Sequence, residues 1–140
     1  DIVGASCGET DYEAEIKSRC DEEKIKYLGE VTQEEKVKLL QSCRALIYAT
    51  SHPEITNHKL QEAMFCGAPV IAPRIGAQGE IVTNGVNGYL CRTQEEYLKA
   101  IINIDKLEPD ITQVVDKYSP QKVVSDYVEL YKEVAGGLRW

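Results

Sequence analysis

The sequence holds no apolar run approaching the roughly 20 residues that a membrane helix needs, and its opening residues do not read as a signal peptide. The stretch is expected to be soluble, which leaves open a membrane contact made elsewhere. A basic excess is lacking too, with 16 Lys and Arg against 23 Asp and Glu, a net charge of -7 and a pI near 4.9. Nothing resembles a basic groove, so nucleic acid is not expected as a partner. The five cysteines, Cys7, Cys20, Cys43, Cys66 and Cys91, form no CxxC pair. Scattered and odd in number, they suit a reducing cytoplasm and small buried side chains, and argue against a disulfide framework or a zinc site. The two histidines, His52 and His58, are too few and too distant from the cysteines to argue a metal, and none is expected. There is no internal repeat and no low-complexity linker. The 140 residues are expected to form one domain with a real core and no boundary inside it.

The most informative stretch runs from Ala45 to Pro73. Ala45-Leu46-Ile47-Tyr48-Ala49 is short and rich in branched and aromatic residues, which predicts a strand buried on both faces. After a loop from Thr50 to Thr56, Leu60, Ala63, Met64 and Gly67 recur at helical spacing, and Pro69 to Ala72 form a second short apolar run beyond the Gly67-Ala68-Pro69 break. If the two strands are parallel, the loop lies at a strand's carboxyl end beside a helix amino terminus, where open α/β sheets hold ligands. Glu54 precedes that helix and Glu62 lies on it. Glu62 stands about 200° round from Leu60, off the apolar face and able to point toward the crevice. Spacing by itself equally allows an ordinary loop acid and a solvated helix residue.

Along the rest of the chain, Ile2-Val3-Gly4-Ala5 reads as a strand end and a glycine turn, Thr10 to Arg19 as a polar surface helix, and Lys24 to Leu28 as an alternating strand closed by Gly29. Thr32-Gln33-Glu34-Glu35 is a capping box leading a helix with Val37, Leu39, Leu40 and Cys43 on its apolar face. Beyond Pro73 the segment Gly76 to Gly88 is glycine-rich, with Asn84-Gly85 and Asn87-Gly88 marking tight turns. Tyr89-Leu90-Cys91 forms a short strand, and Thr93-Gln94-Glu95-Glu96 caps another helix. Ile111 to Lys117 is a further short helix. Ser119-Pro120 starts a last one, bearing Val123, Val124, Tyr127, Leu130, Tyr131 and Val134, and Gly136-Gly137 ends it before the tail Leu138-Arg139-Trp140. The order is βαβαβαβ with a helical finish, a doubly wound parallel α/β sheet of Rossmann type.

Glu54, seven residues, Glu62-Ala63-Met64, then Cys66-Gly67-Ala68-Pro69-Val70-Ile71-Ala72 together resemble the EX7E signature of retaining GT-B glycosyltransferases. That superfamily includes glycogen and sucrose synthases and many lipopolysaccharide and mannosyl transferases. Val3-Gly4, Ile25 to Val31 and Gly76 to Gly88 are similar to three further family segments in the same order, so the resemblance extends from about Ile2 to about Tyr131. It implies a two-domain enzyme whose carboxyl-terminal half binds a nucleotide-sugar donor, with this chain resembling that half only. The resemblance also implies that the chain lacks the family's first strand-helix unit, with its diphosphate-neutralising Arg and Lys, and the amino-terminal acceptor-binding domain.

By the same resemblance Glu54, the candidate catalytic residue, contacts hydroxyls of the transferred sugar, and Glu62 contacts the ribose. An ionised carboxylate is purely an acceptor and suits paired hydroxyls. The turn from Gly29 to Val31 borders the base, and Gly4 joins the donor-binding set. Backbone N–H groups of Ile55, Thr56, Asn57 and His58 face the diphosphate or sugar, or else form an ordinary cap with Asn57 or Thr56 as N-cap. The implied reaction moves a hexose from a nucleoside diphosphate sugar to a hydroxyl acceptor with retention, with no cofactor beyond that substrate. The fragment alone is expected to be inactive. Two departures stand out. Ile55 and Asn57 occupy positions where the family usually has glycines, and only Lys59 and Arg74 lie near the crevice as substitutes for the absent cations, unless they are simply solvated. A non-catalytic nucleotide-sugar-binding relative and a GT-B epimerase are the alternatives, with a flavodoxin-like signalling module more remote.

Overall fold

The computed structural model describes residues 1–4 and 10–137, so Ala5, Cys7 and the Leu138-Arg139-Trp140 tail lie outside the described residues. Two compact units emerge, the first Asp1–Leu39 and the second from Leu40 onward.

In the first unit β1 (Ile2–Val3) and β2 (Tyr27–Gly29) pair in parallel around the helix α1 (Thr10–Ser18). Ile2 N–H donates to Lys26 O at 2.7 Å and Gly4 N–H to Gly29 O at 2.9 Å. α1 has Asp11 and Glu13 in its first turn and Lys17 in its last, and the pairs Glu13–Lys17 at 2.7 Å and Glu15–Arg19 at 2.5 Å, the latter reaching just past its end, are spaced one turn apart. β2 starts later than the alternation of Lys24 to Leu28 predicts. The Asp21 carboxylate accepts the N–H groups of Glu23, Lys24 and Ile25, which bends those residues into a turn and keeps them out of the strand. The helix α2 (Gln33–Ser42) starts as expected, with Glu35 accepting from the Thr32 N–H at 2.9 Å and Thr32 Oγ1 accepting from the Glu35 N–H at 3.3 Å.

The second unit is built on three parallel strands in the order β3 (Leu46–Ile47), β4 (Val70–Pro73), β5 (Gly88–Cys91). Leu46 aligns with Val70, and Ile71 with Tyr89. Every residue of the central strand β4 is buried, and its alternation serves two cores. Val70 and Ala72 pack with Leu60, Ala63 and Met64 of the helix α3 (His58–Phe65) and with Val114 of the helix α6 (Ile111–Tyr118). Ile71 faces the other way, with Cys91, Ile104 and Ala100 of the helix α5 (Gln94–Asn103). Helices on both faces of parallel strands are the doubly wound arrangement the sequence predicts.

The strand at Ala45 to Ala49 differs from expectation. β3 is an edge of the three-stranded sheet, and Ile47 is 51% exposed, so that strand is not buried on both faces. Among the described cysteines Cys91 is buried as the sequence reading expects, whereas Cys20 and Cys66 are half-buried and Cys43 is exposed. The glycine-rich stretch after β4 also contains a short helix, α4 (Gln78–Ile81). The last helix, α7 (Pro120–Ala135), starts at Ser119 as predicted, with Ser119 Oγ accepting from the Lys122 N–H, yet none of its residues is buried. No described helix is long and apolar enough to cross a membrane.

Candidate functional site

In the second unit the site is built from two neighbouring loops at the carboxyl ends of β3 and β4. Tyr48, directly after β3, donates its hydroxyl to Glu54 Oε1 at 2.5 Å. Burial raises the Tyr48 phenol above its ordinary value of 10.0 first, and the bond to Glu54 raises it further, while Lys59, whose Nζ lies 5.2 Å from the ring centroid, opposes both. The phenol therefore stays a donor, aimed at the half-buried Glu54 carboxylate.

The backbone of Glu54 is fixed as well. Ala77 N–H donates to Glu54 O at 2.9 Å, and Gly76 (φ 54°) presses so close that a Cβ there would lie 2.6 Å from Glu54 O and 2.8 Å from Glu54 N. Only glycine fits that contact and that backbone angle. The loop after β3 and the turn after β4 are thus locked together at the residue the sequence singles out.

Asn57, not Thr56, is the N-cap of α3, its Oδ1 accepting from the Leu60 N–H at 3.3 Å. Its φ of -131° is ordinary, and neither it nor Ile55 adopts a left-handed backbone. Where the family pattern has glycines, the loop turns without them. Ile55 points outward, 91% exposed, while Thr56 and His58 are exposed and Asn57 is buried. Among the described residues no hydrogen-bond acceptor engages the N–H groups of Ile55, Thr56, Asn57 or His58. Glu62 is half-buried on α3, two positions past the fully buried Leu60.

Among the described residues, the buried side-chain polar atoms without a partner are Asn57 Nδ2 and both polar atoms of Gln78, at the N-cap of α3 and at the first residue of α4, where these two loops end. Gln78 is completely buried, its Oε1 just behind the Gly76–Glu54 contact. Sequence reasoning missed Tyr48, Gly76 and Gln78 as parts of the site. Tyr48 carries a signal in the sequence, lying on the same side as Leu46 in the alternation of Ala45 to Ala49 and close to the loop. Gln78 carries none beyond its flanking glycines.

The remaining predicted site residues lie in the first unit. Gly4 and Gly29 meet through the 2.9 Å bond already described, at the carboxyl ends of β1 and β2. Gly29 takes a left-handed φ of 67°, and half-buried Val31 follows two residues later. Among the described residues Arg74 makes no hydrogen bond or ion pair with the Glu54 loop; its Nη2 lies 3.5 Å from Leu90 O.

Loops at the carboxyl ends of parallel strands, with a carboxylate and a helix amino terminus side by side, are where open α/β sheets hold ligands, anionic ones included. A family model for "Glycosyl transferases group 1" matches residues 1–105. The chain belongs to that family. This group 1 glycosyltransferase sequence is 33% identical over 132 residues to a probable sucrose-phosphate synthase of Thermosipho melanesiensis, covering 89% of this chain and 31% of that protein. It is 27% identical over 119 residues to the alpha-1,3/1,6-mannosyltransferase ALG2 of Homo sapiens, covering 79% and 28% respectively. Among solved structures, Anabaena Alr3699/HepE in complex with UDP matches with a TM-score of 0.69 at 26% identity, over 96% of this chain and 40% of that one. The same Anabaena protein in complex with UDP-glucose matches with a TM-score of 0.62 at 26% identity, over 82% and 38%. The chain thus spans about a third of the length of the curated relatives it matches. Its α/β fold with parallel sheets is that of GT-B glycosyltransferases.

Proposed function

We propose that this chain is the single, partial donor-binding domain of a longer retaining GT-B glycosyltransferase of the EX7E group. The enzyme transfers a hexose from a nucleoside diphosphate sugar to a hydroxyl acceptor bound by the remainder of the protein. The observation that carries this reading is the pairing of an oriented carboxylate with open backbone donors. Glu54 is held by the Tyr48 hydroxyl and the Ala77 N–H, beside the N–H groups of residues 55–58, which meet no acceptor among the described residues. A carboxylate in that position accepts sugar hydroxyls, and the adjacent helix amino terminus accepts the diphosphate.

In this reading Glu62 accepts the ribose hydroxyls, the Gly29 to Val31 turn borders the base, and Gly4 completes the donor-binding set. Uridine is the favoured base, because the Anabaena relative's structures hold UDP and UDP-glucose. Catalysis proceeds by positioning and by stabilising the departing diphosphate, with Glu54 as a sugar-binding residue and not a covalent nucleophile. The four free cysteines among the described residues suit a reducing cytoplasm.

The test is calorimetric titration of UDP, GDP, ADP and their glucose, mannose and N-acetylglucosamine forms into the protein and into its Glu54→Gln and Glu62→Ala variants. Binding of one base, weakened by Glu62→Ala for nucleotide and nucleotide sugar alike and by Glu54→Gln for the sugar form alone, is expected. Equal affinity for every base, or variants that bind like the parent, would overturn the assignment. Product analysis with the longer protein separates transfer to an acceptor from epimerisation of the donor, and the chain alone is expected to transfer nothing.

A further inference from the structure

A concavity opens beside the ends of β4 and β5, and β5 is the strand at the opposite edge of the three-stranded sheet from β3 and its Glu54 loop. Its volume of about 360 Å³ lies within the range of roughly 300–1,000 Å³ common for small-molecule sites. Three cations line it: Arg74 just after β4, Arg92 just after β5, and Lys99 on α5. The one acid of the lining, Glu96, is already engaged, its Oε2 accepting the Arg92 backbone N–H at 2.6 Å. Among the described residues none of the three cations meets a carboxylate, and Arg74 reaches only a neutral carbonyl.

The lining therefore carries three positive charges against one negative, in a chain whose net charge is -7. Like charges gathered without counter-ions repel one another, and an anion placed among them removes that repulsion. Guanidinium groups match a phosphoryl group fork to oxygen, and an ammonium adds a point charge. Asn84 supplies a neutral donor: its Oδ1 accepts the Leu90 N–H at 2.8 Å, which leaves its Nδ2 to a ligand. A nucleic acid or other long polyanion is disfavoured by the acidic remainder of the chain.

We propose that this pocket binds the phosphoryl group of a small phosphorylated, hydroxyl-bearing molecule, at a site separate from the Glu54 loop. The experiment follows the amide spectrum of the protein during titration with inorganic phosphate and with glucose 6-phosphate, using unphosphorylated glucose as the control. Saturable shifts confined to residues 74 and 84–103 are expected for both phosphates and not for glucose. Arg92→Gln combined with Lys99→Gln, both exposed positions, is expected to weaken binding at least about tenfold and to leave the thermal melt and UDP titration unchanged. No saturable shift up to about 10 mM, a range beyond ordinary metabolite affinity, would overturn the proposal. So would shifts at residues 54–62 instead, or parent-like phosphate affinity in the folded double variant.

Discussion

Adding a single methyl group at Gly76 is expected to damage both the stability of the second unit and its Glu54 loop. The added Cβ would sit 2.6 Å from Glu54 O and 2.8 Å from Glu54 N, and both atoms are backbone, so no side chain can swing aside. Overpacking of this kind costs about 1–3 kcal/mol, and holding alanine at a left-handed φ adds roughly 1 kcal/mol. Relief by moving the loop breaks the 2.9 Å bond from Ala77 N–H to Glu54 O, about 1 kcal/mol more. Since relief by one route lessens the others, the total is about 3 kcal/mol, and at roughly 4 °C per kcal/mol for a chain of this size the melting temperature falls by about 12 °C. Displacement of Glu54 is also expected to weaken nucleotide-sugar binding at least about tenfold, measured at a temperature where the variant is folded. Gly79→Ala is the matched control, because its Cβ meets nothing within 4 Å and alanine favours the helix α4, so the melt should hold or rise slightly. Urea unfolding that places Gly76→Ala within about 0.5 kcal/mol of the parent would refute the claim that the two loops are locked at Glu54.

Tyr48→Phe removes the hydroxyl that donates to Glu54; at this half-buried position the loss is about 1 kcal/mol, seen as about fivefold weaker sugar-nucleotide binding by calorimetry, and unchanged affinity would show that the phenol does not orient the carboxylate. Gln78→Met replaces a fully buried amide lacking partners with an apolar chain of similar size, so the melt should rise by an amount corresponding to about 1 kcal/mol; a fall would show that the amide is satisfied in solution. Asp21 is held below its ordinary 3.8, chiefly by the N–H of Ile25 and then by those of Lys24 and Glu23. Because the folded value is the lower one, its contribution is present above 3.8 and lost as the pH falls through the folded value. The melt of Asp21→Ala should therefore lie below the parent's at pH near neutrality and converge with it on acidification, and a constant gap would contradict this.

The features legible in the sequence are those whose physics is local. Thr32, Thr93 and Ser119 cap the helices they were expected to cap, because a short side-chain oxygen beside an unpaired N–H needs no distant partner. The face Leu60, Ala63, Met64 is buried as its spacing requires. The features that escaped depend on neighbours remote in sequence. Ile47 is exposed because β3 is an edge strand of its sheet, which no single strand declares. Lys24 and Ile25 alternate like a strand, yet one carboxylate upstream outcompetes the ladder for their N–H groups. Gln78 reads as a loop polar residue, yet it is fully buried, beside the Gly76 backbone that the Glu54 loop approaches from 22 residues earlier.

Asn57 shows why departure from a family pattern need not remove a site. Glycine in such a loop permits a left-handed turn; this chain makes none there, with φ at -131°. Instead the Asn57 side chain fixes the start of α3 by taking the Leu60 N–H, one turn inside the helix. Among the described residues the N–H groups at this end of α3, from Ile55 to His58, meet no acceptor, so in the proposed reading the helix amino terminus stays open to an anion without the glycines. What changes is the wall of the site. Ile55 stands 91% exposed where a glycine would leave open space, and in the proposed reading this large apolar side chain beside Glu54 restricts which sugars can approach that carboxylate. The substitution therefore bears on the identity of the sugar more than on whether a diphosphate can bind, and Ile55→Gly should broaden the range of donor sugars accepted while leaving the affinity for the free nucleoside diphosphate as it is. A parallel loss of nucleotide affinity on calorimetric titration would refute that division of labour.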